Sequence, residues 1–171
     1  WINNCSFVNN SSPSPHSKGH CIYSTLLYGI IDILFSNFTD NGFGNENPNS
    51  VVYTNSELSI LYSKIEFTDK EKAFSRPIFI GTSSRLSMRG NRIVNCSYRS
   101  GSGAALYYQI VKNRESSDVS IFDNTFINNT ASDIGTEMYF FINSSPDIYN
   151  CSFYNEDCKT RPIFIQFEKE Q

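Results

Sequence analysis

Charge is scarce in this chain, and neither sign dominates. Lys and Arg number 14, and Asp and Glu 17, among 171 residues, which gives a net charge of −3. Proteins that bind nucleic acid neutralise its phosphates with a clustered basic surface. The charges here are scattered and form no basic stripe, so we expect no nucleic-acid partner.

Long apolar runs are also missing. A membrane-spanning helix needs about 20 consecutive apolar residues. The longest candidate, Leu26 to Phe35, is interrupted by Gly29 and Asp32, so we expect no membrane span in this chain. No signal peptide is visible, and the chain begins with Trp1 rather than Met. We therefore interpret it as a mature product, a fragment, or the ordered part of something longer.

Aromatic residues and asparagine are abundant instead, and six aromatic or aliphatic residues recur at intervals of 31, 29, 26, 33 and 27 residues. Four of them lie in nearly the same local sequence, as in Asn4-Cys-Ser-Phe-Val-Asn-Asn10 and Asn124-Thr-Phe-Ile-Asn-Asn129. A degenerate repeat of this length indicates a solenoid in which each unit contacts only its neighbours. We call these residues the marker column and predict that they form the core ladder: Phe7, Phe38, Phe67, Ile93, Phe126 and Phe153.

The residues before each marker alternate with period two. Apolar residues stand five and seven positions before it, which is typical of a strand. The position between them is expected to face outward, and its residues are Asp32, Leu61, Ser87, Ser120 and Asp147. The marker lies in a second short strand, and the Asn or Asp two residues later indicates a turn. A third apolar segment follows in every repeat, so three strands and three bends predict one coil of a parallel β-helix.

The repeated Asn-x-x-Phe-x-Asn-Asn units, followed by Gly and a strand such as Gly103-Ala-Ala-Leu-Tyr107, resemble the right-handed parallel β-helix repeats of the pectate-lyase-like superfamily. Coil arrays of protist and bacterial surface proteins have the same style of repeat. The resemblance covers the whole chain. It implies an all-β, single-domain, right-handed solenoid over residues 1–171, a possible fragment or subunit of a longer array, with about six coils. It implies no single function, since the superfamily spans lyases, hydrolases, adhesins and structural spikes.

Insertions in the repeats predict loops concentrated on one edge of the solenoid. All of them fall between the marker strand and the third strand of a repeat. They cover residues 10–20, 41–49, 99–103 and 156–160. Variable loops gathered at one edge form the expected contact surface.

The sequence contains no motif for catalysis or metal binding. Lyases of this fold need an acidic calcium cluster and an Arg or Lys base on one outer face, and hydrolases need two or three Asp residues close together. Asp32 and Asp147 are outward acids, but they lie about four coils, or roughly 19 Å, apart at the spacing of strands. We expect no catalytic residue, no metal site and no cofactor apart from covalent N-glycans.

Eight Asn-x-Ser/Thr acceptor patterns for N-glycosylation occur, more than the composition alone would give. They indicate a secreted or cell-surface glycoprotein, which we expect to come from a eukaryotic microbe; the alternative is that the repeat creates them as a by-product. The predicted register makes five of them the better acceptors: Asn4, Asn10, Asn37, Asn143 and Asn150. The other three follow the marker and are expected to point inward and bond the backbone: Asn9, Asn95 and Asn128.

Five cysteines leave one unpaired in a secreted protein. Cys5 and Cys151 share an inward column, but they lie about five coils, or roughly 24 Å, apart and cannot pair within the chain. Local bridges Cys5–Cys21 and Cys151–Cys158 would each close a terminal coil and leave Cys96 as a free thiol. The alternative is that the inward cysteines are buried as small hydrophobic residues.

Neither end of the predicted solenoid has an obvious cap, although an open end exposes unpaired strand groups. We therefore expect an extracellular glycosylated structural module that stacks on copies of itself through Trp1, Phe164 and Phe167, or that forms part of a long cell-surface protein. The alternative is a carbohydrate-binding adhesin that stacks extracellular glycans on exposed rings such as Tyr98, Tyr107 and Tyr108. A degenerate polysaccharide lyase is the third hypothesis.

Overall fold

The computed structural model of this protein consists of parallel strands stacked as a β-solenoid. It describes residues 1–10, 19–25, 29–41, 50–69, 76–81, 85–98, 101–109, 118–133, 135, 137–156 and 161–167. Every regular element in these ranges is a strand, and no helix occurs among them. The predicted all-β solenoid is therefore confirmed, while its hand stays a prediction. Most of the predicted loop edge lies outside the described residues, as does Cys158.

Three long parallel sheets run along the solenoid, and each takes one strand from every repeat. The first contains β1 (Ile2–Asn3), β4 (Ile30–Leu34), β7 (Glu57–Leu61), β10 (Arg85–Arg89), β14 (Asp118–Phe122) and β18 (Asp147–Tyr149). The second contains β2 (Ser6–Val8), β5 (Asn37–Thr39), β8 (Lys64–Glu66), β11 (Arg92–Val94), β15 (Thr125–Ile127) and β19 (Ser152–Tyr154). The third contains β3 (Gly19–Ser24), β6 (Ser50–Thr54), β9 (Arg76–Ile80), β13 (Leu106–Gln109), β17 (Met138–Ile142) and β20 (Ile163–Phe167). A short fourth sheet pairs β12 (Ser97–Tyr98) with β16 (Thr130–Ala131).

The number of complete turns is smaller than the number of repeats. Each long sheet has six strands, but within the described part of the chain its first and last strands pair on one side only. About four turns are therefore enclosed on both sides, where the sequence predicts about six coils.

The core is a set of in-register columns, because a strand sends every second side chain inward. In the marker column, Phe38 is 1% exposed and Phe126 0%. Their rings stack on neighbouring turns, with centroids 4.8 Å apart for Phe7 and Phe38 and 5.1 Å apart for Phe126 and Phe153. Stacking of like residues from turn to turn therefore fixes the register of the sheets.

The third repeat departs from the predicted register by two residues. Ile65, not Phe67, pairs with Phe38 on one side and with Ile93 on the other. Phe67 is fully buried at the following corner, where four of the other repeats place an Asn and one places Asp40. The prediction of Phe67 as a marker is therefore wrong. Ile65 and Phe67 are both apolar and buried, and the sequence pattern favours Phe67 because most of the other markers are phenylalanines.

A polar ladder lies two residues before the marker column, at the corner between the first and second sheets. Its members are Cys5, Ser36, Ser63, Asn91, Asn124 and Cys151. Asn124 Oδ1 accepts a bond from the Asn91 backbone nitrogen at 3.0 Å, and its Nδ2 donates to the backbone oxygens of Met88 at 3.0 Å and Phe122 at 2.8 Å. Asn91 makes equivalent bonds to the preceding turn. These side chains satisfy buried backbone groups that the corner removes from the strand pairing.

Asn124→Ala is expected to lower the free energy of unfolding by about 2–5 kcal/mol, because it removes the side-chain partner of the buried Asn91 N–H and of the Met88 backbone oxygen. Denaturant unfolding of bacterially produced protein, followed by circular dichroism, measures the loss. Arg92→Ala is the control, since Arg92 is exposed and directly follows the ladder residue Asn91; it should change stability by less than about 0.5 kcal/mol. Equal effects of the two substitutions would rule out the role given to the ladder.

Candidate functional site

Both ends of the solenoid expose columns that its interior buries. In the interior, Ile33 is 0% exposed and Phe38 1%. Their counterparts in the terminal layers, Ile2 and Phe7 at one end and Phe153 at the other, are only partly buried. The outer edges of the terminal strands also have no strand partner within the described residues. Each end is therefore an apolar surface bordered by backbone groups that can pair with a further strand.

The two terminal layers carry the same local sequence in the same columns. Asn4-Cys5-Ser6-Phe7 at one end is repeated at residues 150–153 at the other. The asparagine that begins each copy has a φ of 52°. Phe7 and Phe153 both belong to the marker column, and Cys5 and Cys151 both belong to the polar ladder. A second copy placed on either end would therefore meet, in each column, a residue of the kind that already packs there.

The three residues predicted at the stacking ends differ in their surroundings. Trp1 is 85% exposed and precedes β1. Phe167 ends β20 and is 54% exposed. Phe164 is partly buried, and its ring stacks on Tyr139 at a centroid distance of 5.6 Å. Of the three, Phe164 has a place in a column that continues through the solenoid.

That column is an outward-facing aromatic ladder along the third sheet. Its rings come one from each strand: Tyr23, Tyr53, Phe79, Tyr107, Tyr139 and Phe164. Neighbouring centroids are 4.9–5.6 Å apart, and the planes meet at 3–30°. The rings cover one another's faces, so the inner four present only edges and hydroxyl groups to a ligand.

The tyrosines proposed to stack on sugars are not available for it. Tyr98 is 4% exposed and Tyr108 0%, so the expectation that they are exposed is wrong. Tyr107 faces outward within the aromatic ladder, but the Arg76 guanidinium lies 4.2 Å from its ring centroid and 3.9 Å from that of Tyr98. The protein's own rings and this cation occupy the faces that a sugar would need.

A shallow groove of about 140 Å³ lies on the outer face of the first sheet. Its polar lining consists of Asp32, Glu57, Ser59, Arg85 and Ser87. The sequence does not predict all of these groove residues, because the third repeat is shifted in register by two residues. Ser59 pairs with Asp32 in the outward row, whereas the sequence predicts Leu61 at that position. Glu57 is missed for the same reason. The groove is small beside the roughly 300–1,000 Å³ of ordinary ligand pockets, so it can hold one small polar group.

The groove offers charged and hydroxyl groups that can form hydrogen bonds with a polar ligand. Asp32 and Asp147 are separated by three strands of the first sheet, so they stay far apart as predicted. Asp32 and Glu57 border the groove together with Arg85, whose Nε lies 3.7 Å from Asp118 Oδ2. Carboxylates and a guanidinium at one place can bond the hydroxyl groups of a polar ligand.

The five acceptor asparagines predicted to be favourable are all exposed: Asn4, Asn10, Asn37, Asn143 and Asn150. In Asn10 and Asn150 the amide nitrogen that would carry a sugar donates a hydrogen bond. Asn10 Nδ2 donates to Asn41 Oδ1 at 2.8 Å, and Asn150 Nδ2 donates to Asp123 Oδ1 at 2.7 Å. The exposed acceptors therefore differ in how freely their amide groups can be modified in the folded chain.

The three asparagines predicted to point inward behave differently from one another. Asn9 is exposed, whereas Asn95 and Asn128 are partly buried. Asn95 bonds the backbone as expected, with Nδ2 donating to the Phe67 oxygen at 2.9 Å. The buried asparagines of this corner stand one position later; Asn129, for example, is 0% exposed. The turn itself falls where the sequence predicts it, since Asn9, Asn95 and Asn128 have φ values of 52–56°; the side chain buried at this corner is that of the next residue.

The predicted Cys5–Cys21 bridge is absent, since both residues are free thiols. Cys5 lies at a corner, where its Sγ donates to the Asn3 backbone oxygen at 3.3 Å. Cys21 lies in β3 of the third sheet. Burial raises the pKa of the Cys21 thiol to about 12. Cys151 is also free, and its predicted partner Cys158 lies outside the described residues. Cys96 is 0% exposed, and burial raises the pKa of its thiol.

Glu137 is a buried acid that no sequence pattern singles out. It is 1% exposed, and its Oε2 accepts a bond from Asn129 Nδ2 at 2.6 Å. Its Oε1 has no hydrogen-bond partner among the described residues. Burial raises the pKa of this carboxyl to about 7, although the bond from Asn129 acts in the opposite direction. The charged form is the one that burial disfavours.

Comparisons of this chain with protein-family models, curated proteins and solved structures give no match. Within the described part of the chain, no helix is long and apolar enough to cross a membrane. The same residues contain no group of three His, Cys, Asp or Glu side chains placed to hold a metal ion. The open ends, the outer faces and the acceptor asparagines are therefore the features from which a function can be inferred.

Glu137 is expected to make the folded protein less stable as the pH rises from about 4.5 to about 7. Over this range the folded chain keeps the Glu137 proton, whereas the unfolded chain has released it, so unfolding is favoured. Glu137→Gln should remove this dependence and stabilise the protein by up to about 3 kcal/mol at alkaline pH.

Denaturant unfolding at about pH 5 and about pH 8 measures this difference. Glu156→Gln is the control, because Glu156 is exposed, and it should leave the pH dependence as it is. If Glu137→Gln keeps the pH dependence of the unsubstituted protein, the protonation assigned to Glu137 is wrong.

Proposed function

We propose that this protein is an extracellular, N-glycosylated structural module whose β-helix is continued by further coils at its ends. The further coils come from copies of the same chain, stacked head to tail into a fibre, or from the remainder of a long cell-surface protein. The observation that carries the proposal is the pair of open terminal layers, which leave Phe7 and Phe153 partly exposed in a column whose interior members are buried.

Stacking in register suits the chemistry of both ends. Phe153 of one copy would lie on Phe7 of the next, as Phe7 lies on Phe38 at 4.8 Å. Phe164 would likewise lie on Tyr23 and continue the aromatic ladder. The marker column and the polar ladder carry no charge at either end, so joining the ends buries apolar area, worth about 25 cal/mol per Å². The same contact pairs the free strand edges.

The acceptor asparagines support an extracellular location. Five favourable acceptors are exposed, and glycans on a solenoid surface keep its outer faces soluble without entering the core. Secretion by a eukaryotic microbe belongs to this proposal, as does the finer assignment to the pectate-lyase-like superfamily. The support for that assignment is the combination of parallel coils with asparagine-rich corners.

A carbohydrate-binding adhesin is the second candidate. The groove beside Asp32, Glu57 and Arg85 favours it, whereas the aromatic ladder does not, because its ring faces are covered. A glycan array tests this candidate. Binding that is lost in Asp32→Ala and kept in Asp147→Ala, an outward acid of the same row, would support the adhesin. An activity screen on polyuronates with calcium tests the degenerate lyase.

Phe153→Lys is expected to abolish end-to-end association of the 171-residue protein, because it places a charge in the terminal column. Tyr154→Lys is the matched control, since Tyr154 is the next residue, points away from the column and is 60% exposed. Sedimentation and negative-stain electron microscopy should show filaments that grow with concentration for the unsubstituted protein and the control. Phe153→Lys should sediment as a monomer.

The direction of stacking can be tested by mixing two blocked variants. Phe7→Lys blocks the opposite end from Phe153→Lys, so an equal mixture retains one intact junction. The mixture should form dimers that neither variant forms alone, and circular dichroism checks that both are folded. An unsubstituted protein that stays monomeric at every concentration argues against self-stacking and leaves only continuation within a longer chain.

A further inference from the structure

The corner between the first and second sheets is a column of residues with left-handed backbone conformation. Its members are Asn4 (φ 52°), Phe35 (φ 47°), Tyr62 (φ 51°), Gly90 (φ 64°), Asp123 (φ 58°) and Asn150 (φ 52°). The backbone connects them turn by turn, as where Asn4 N donates to the Leu34 oxygen at 3.1 Å. Gly, Asn and Asp adopt this conformation readily, whereas a bulky side chain is an outlier there. Phe35 and Tyr62 are therefore the unexpected members of this corner column.

Phe35 and Tyr62 place exposed rings at this strained corner. They are 56% and 49% exposed, with centroids 5.4 Å apart and planes 11° from parallel. One face of Tyr62 covers Phe35, and the other lies over Gly90, where an added Cβ would come 2.8 Å from Tyr62 Cε1. Two strained positions that hold apolar rings in water indicate a role beyond packing.

Asn4 is the neighbour of Phe35 in the corner column on the side away from Tyr62, because Asn3 pairs with Leu34; we therefore infer that the ring face not covered by Tyr62 lies on the Asn4 side. Asn4 is exposed and begins the acceptor pattern Asn4-Cys5-Ser6. No hydrogen bond involves its side chain among the described residues. Since neighbouring turns are about 4.8 Å apart, a group attached to Asn4 Nδ2 would lie against that face.

We propose that Asn4 carries an N-glycan whose first N-acetylglucosamine packs on the free face of Phe35; this inference rests on the glycosylation in the proposed function. An oligosaccharyltransferase breaks the bond between sugar C1 and the oxygen of a lipid-pyrophosphate carrier, which leaves. The new bond joins C1 to Asn4 Nδ2, and the amide loses a proton. The C–H face of the sugar carries partial positive charge and the ring face partial negative charge, so the two attract.

Asn150 is a built-in comparison for Asn4. It has the same acceptor sequence, the same place in a turn and the same φ of 52°. Its neighbour in the corner column is Asp123, and its Nδ2 donates to Asp123 Oδ1 at 2.7 Å. A glycan on Asn150 has Asp123 in the position that Phe35 holds beside Asn4, so it lacks the stacking contact proposed for Asn4 and should stabilise the fold much less.

The test uses protein secreted from eukaryotic cells that keep high-mannose glycans, trimmed enzymatically to one N-acetylglucosamine per site. Glycopeptide mass spectrometry reports the occupancy of Asn4. Ser6→Ala removes the Asn4 acceptor pattern without altering the corner residue, and Ser152→Ala does the same for Asn150. Ser6→Ala should lower the melting temperature by about 2–4 °C, and Ser152→Ala by less than about 1 °C.

Variants of Phe35 isolate the contact. Phe35→Asn suits the left-handed backbone but removes the ring, so in that background Ser6→Ala should change the melting temperature by less than about 1 °C. Phe35→Tyr keeps the ring and should restore the full effect. The N-acetyl methyl protons of the Asn4 sugar should shift upfield in NMR spectra through the ring current of Phe35 and lose that shift in Phe35→Asn.

The possible outcomes separate this inference from the proposed function. If Asn4 is occupied and Ser6→Ala has the same effect with and without the ring, the inference is overturned and the glycosylated module stands. A bare Asn4 with glycans at other acceptors also overturns the inference alone. Secreted protein without a glycan at any acceptor overturns both the inference and the glycosylated part of the proposed function.

Discussion

In-register pairing between consecutive turns is the constraint on which the rest of this structure depends. Every strand of the three long sheets pairs in parallel with the strand one repeat away, so equivalent residues lie side by side. Aromatic rings can then stack, and a ladder side chain such as Asn124 can bond the backbone of the preceding turn. A column is complete only when another turn lies on each side of it, which is why solenoid stability is a sum over neighbours.

The same constraint links the architecture to the proposed role. A terminal layer has a neighbouring turn on one side only. The side chains of Phe7 and Phe153 are therefore partly exposed, whereas that of Phe38 in the same column is buried. The outer faces offer a small polar groove and aromatic rings whose faces are covered, which limits what they can bind. The acceptor Asn4 lies on an exposed corner of the solenoid, where a glycan can cover the ring of Phe35 without entering the core.

Much of the fold could be predicted from the sequence because period-two alternation and the recurring phenylalanines report burial directly. Between Ile65 and Phe67 the sequence could not decide, since two apolar residues two positions apart point the same way and only backbone pairing distinguishes them. Because of this two-residue shift in register, the sequence does not place Glu57 in the outward row beside Asp32, although Glu57 lines the groove. Tyr107 and Tyr108 are neighbours that face opposite ways, so their exposure follows from the exact register. The aromatic ladder is predictable from the sequence, because an alignment of the third segments places one aromatic residue of every repeat in the same outward column.

Disulfide formation between Cys5 of one copy and Cys151 of another tests most directly whether the columns continue across a junction. Within one chain these thiols lie five layers apart, roughly 24 Å, and cannot bridge. Across an in-register junction their Cα atoms would lie about 4.8 Å apart, within the range that a disulfide needs. With the other three cysteines replaced, mild oxidation should give a ladder of reducible oligomers on a non-reducing gel, and Cys5→Ser should abolish it. Monomers that keep both thiols after the same oxidation would contradict the claim that copies of this chain stack end to end.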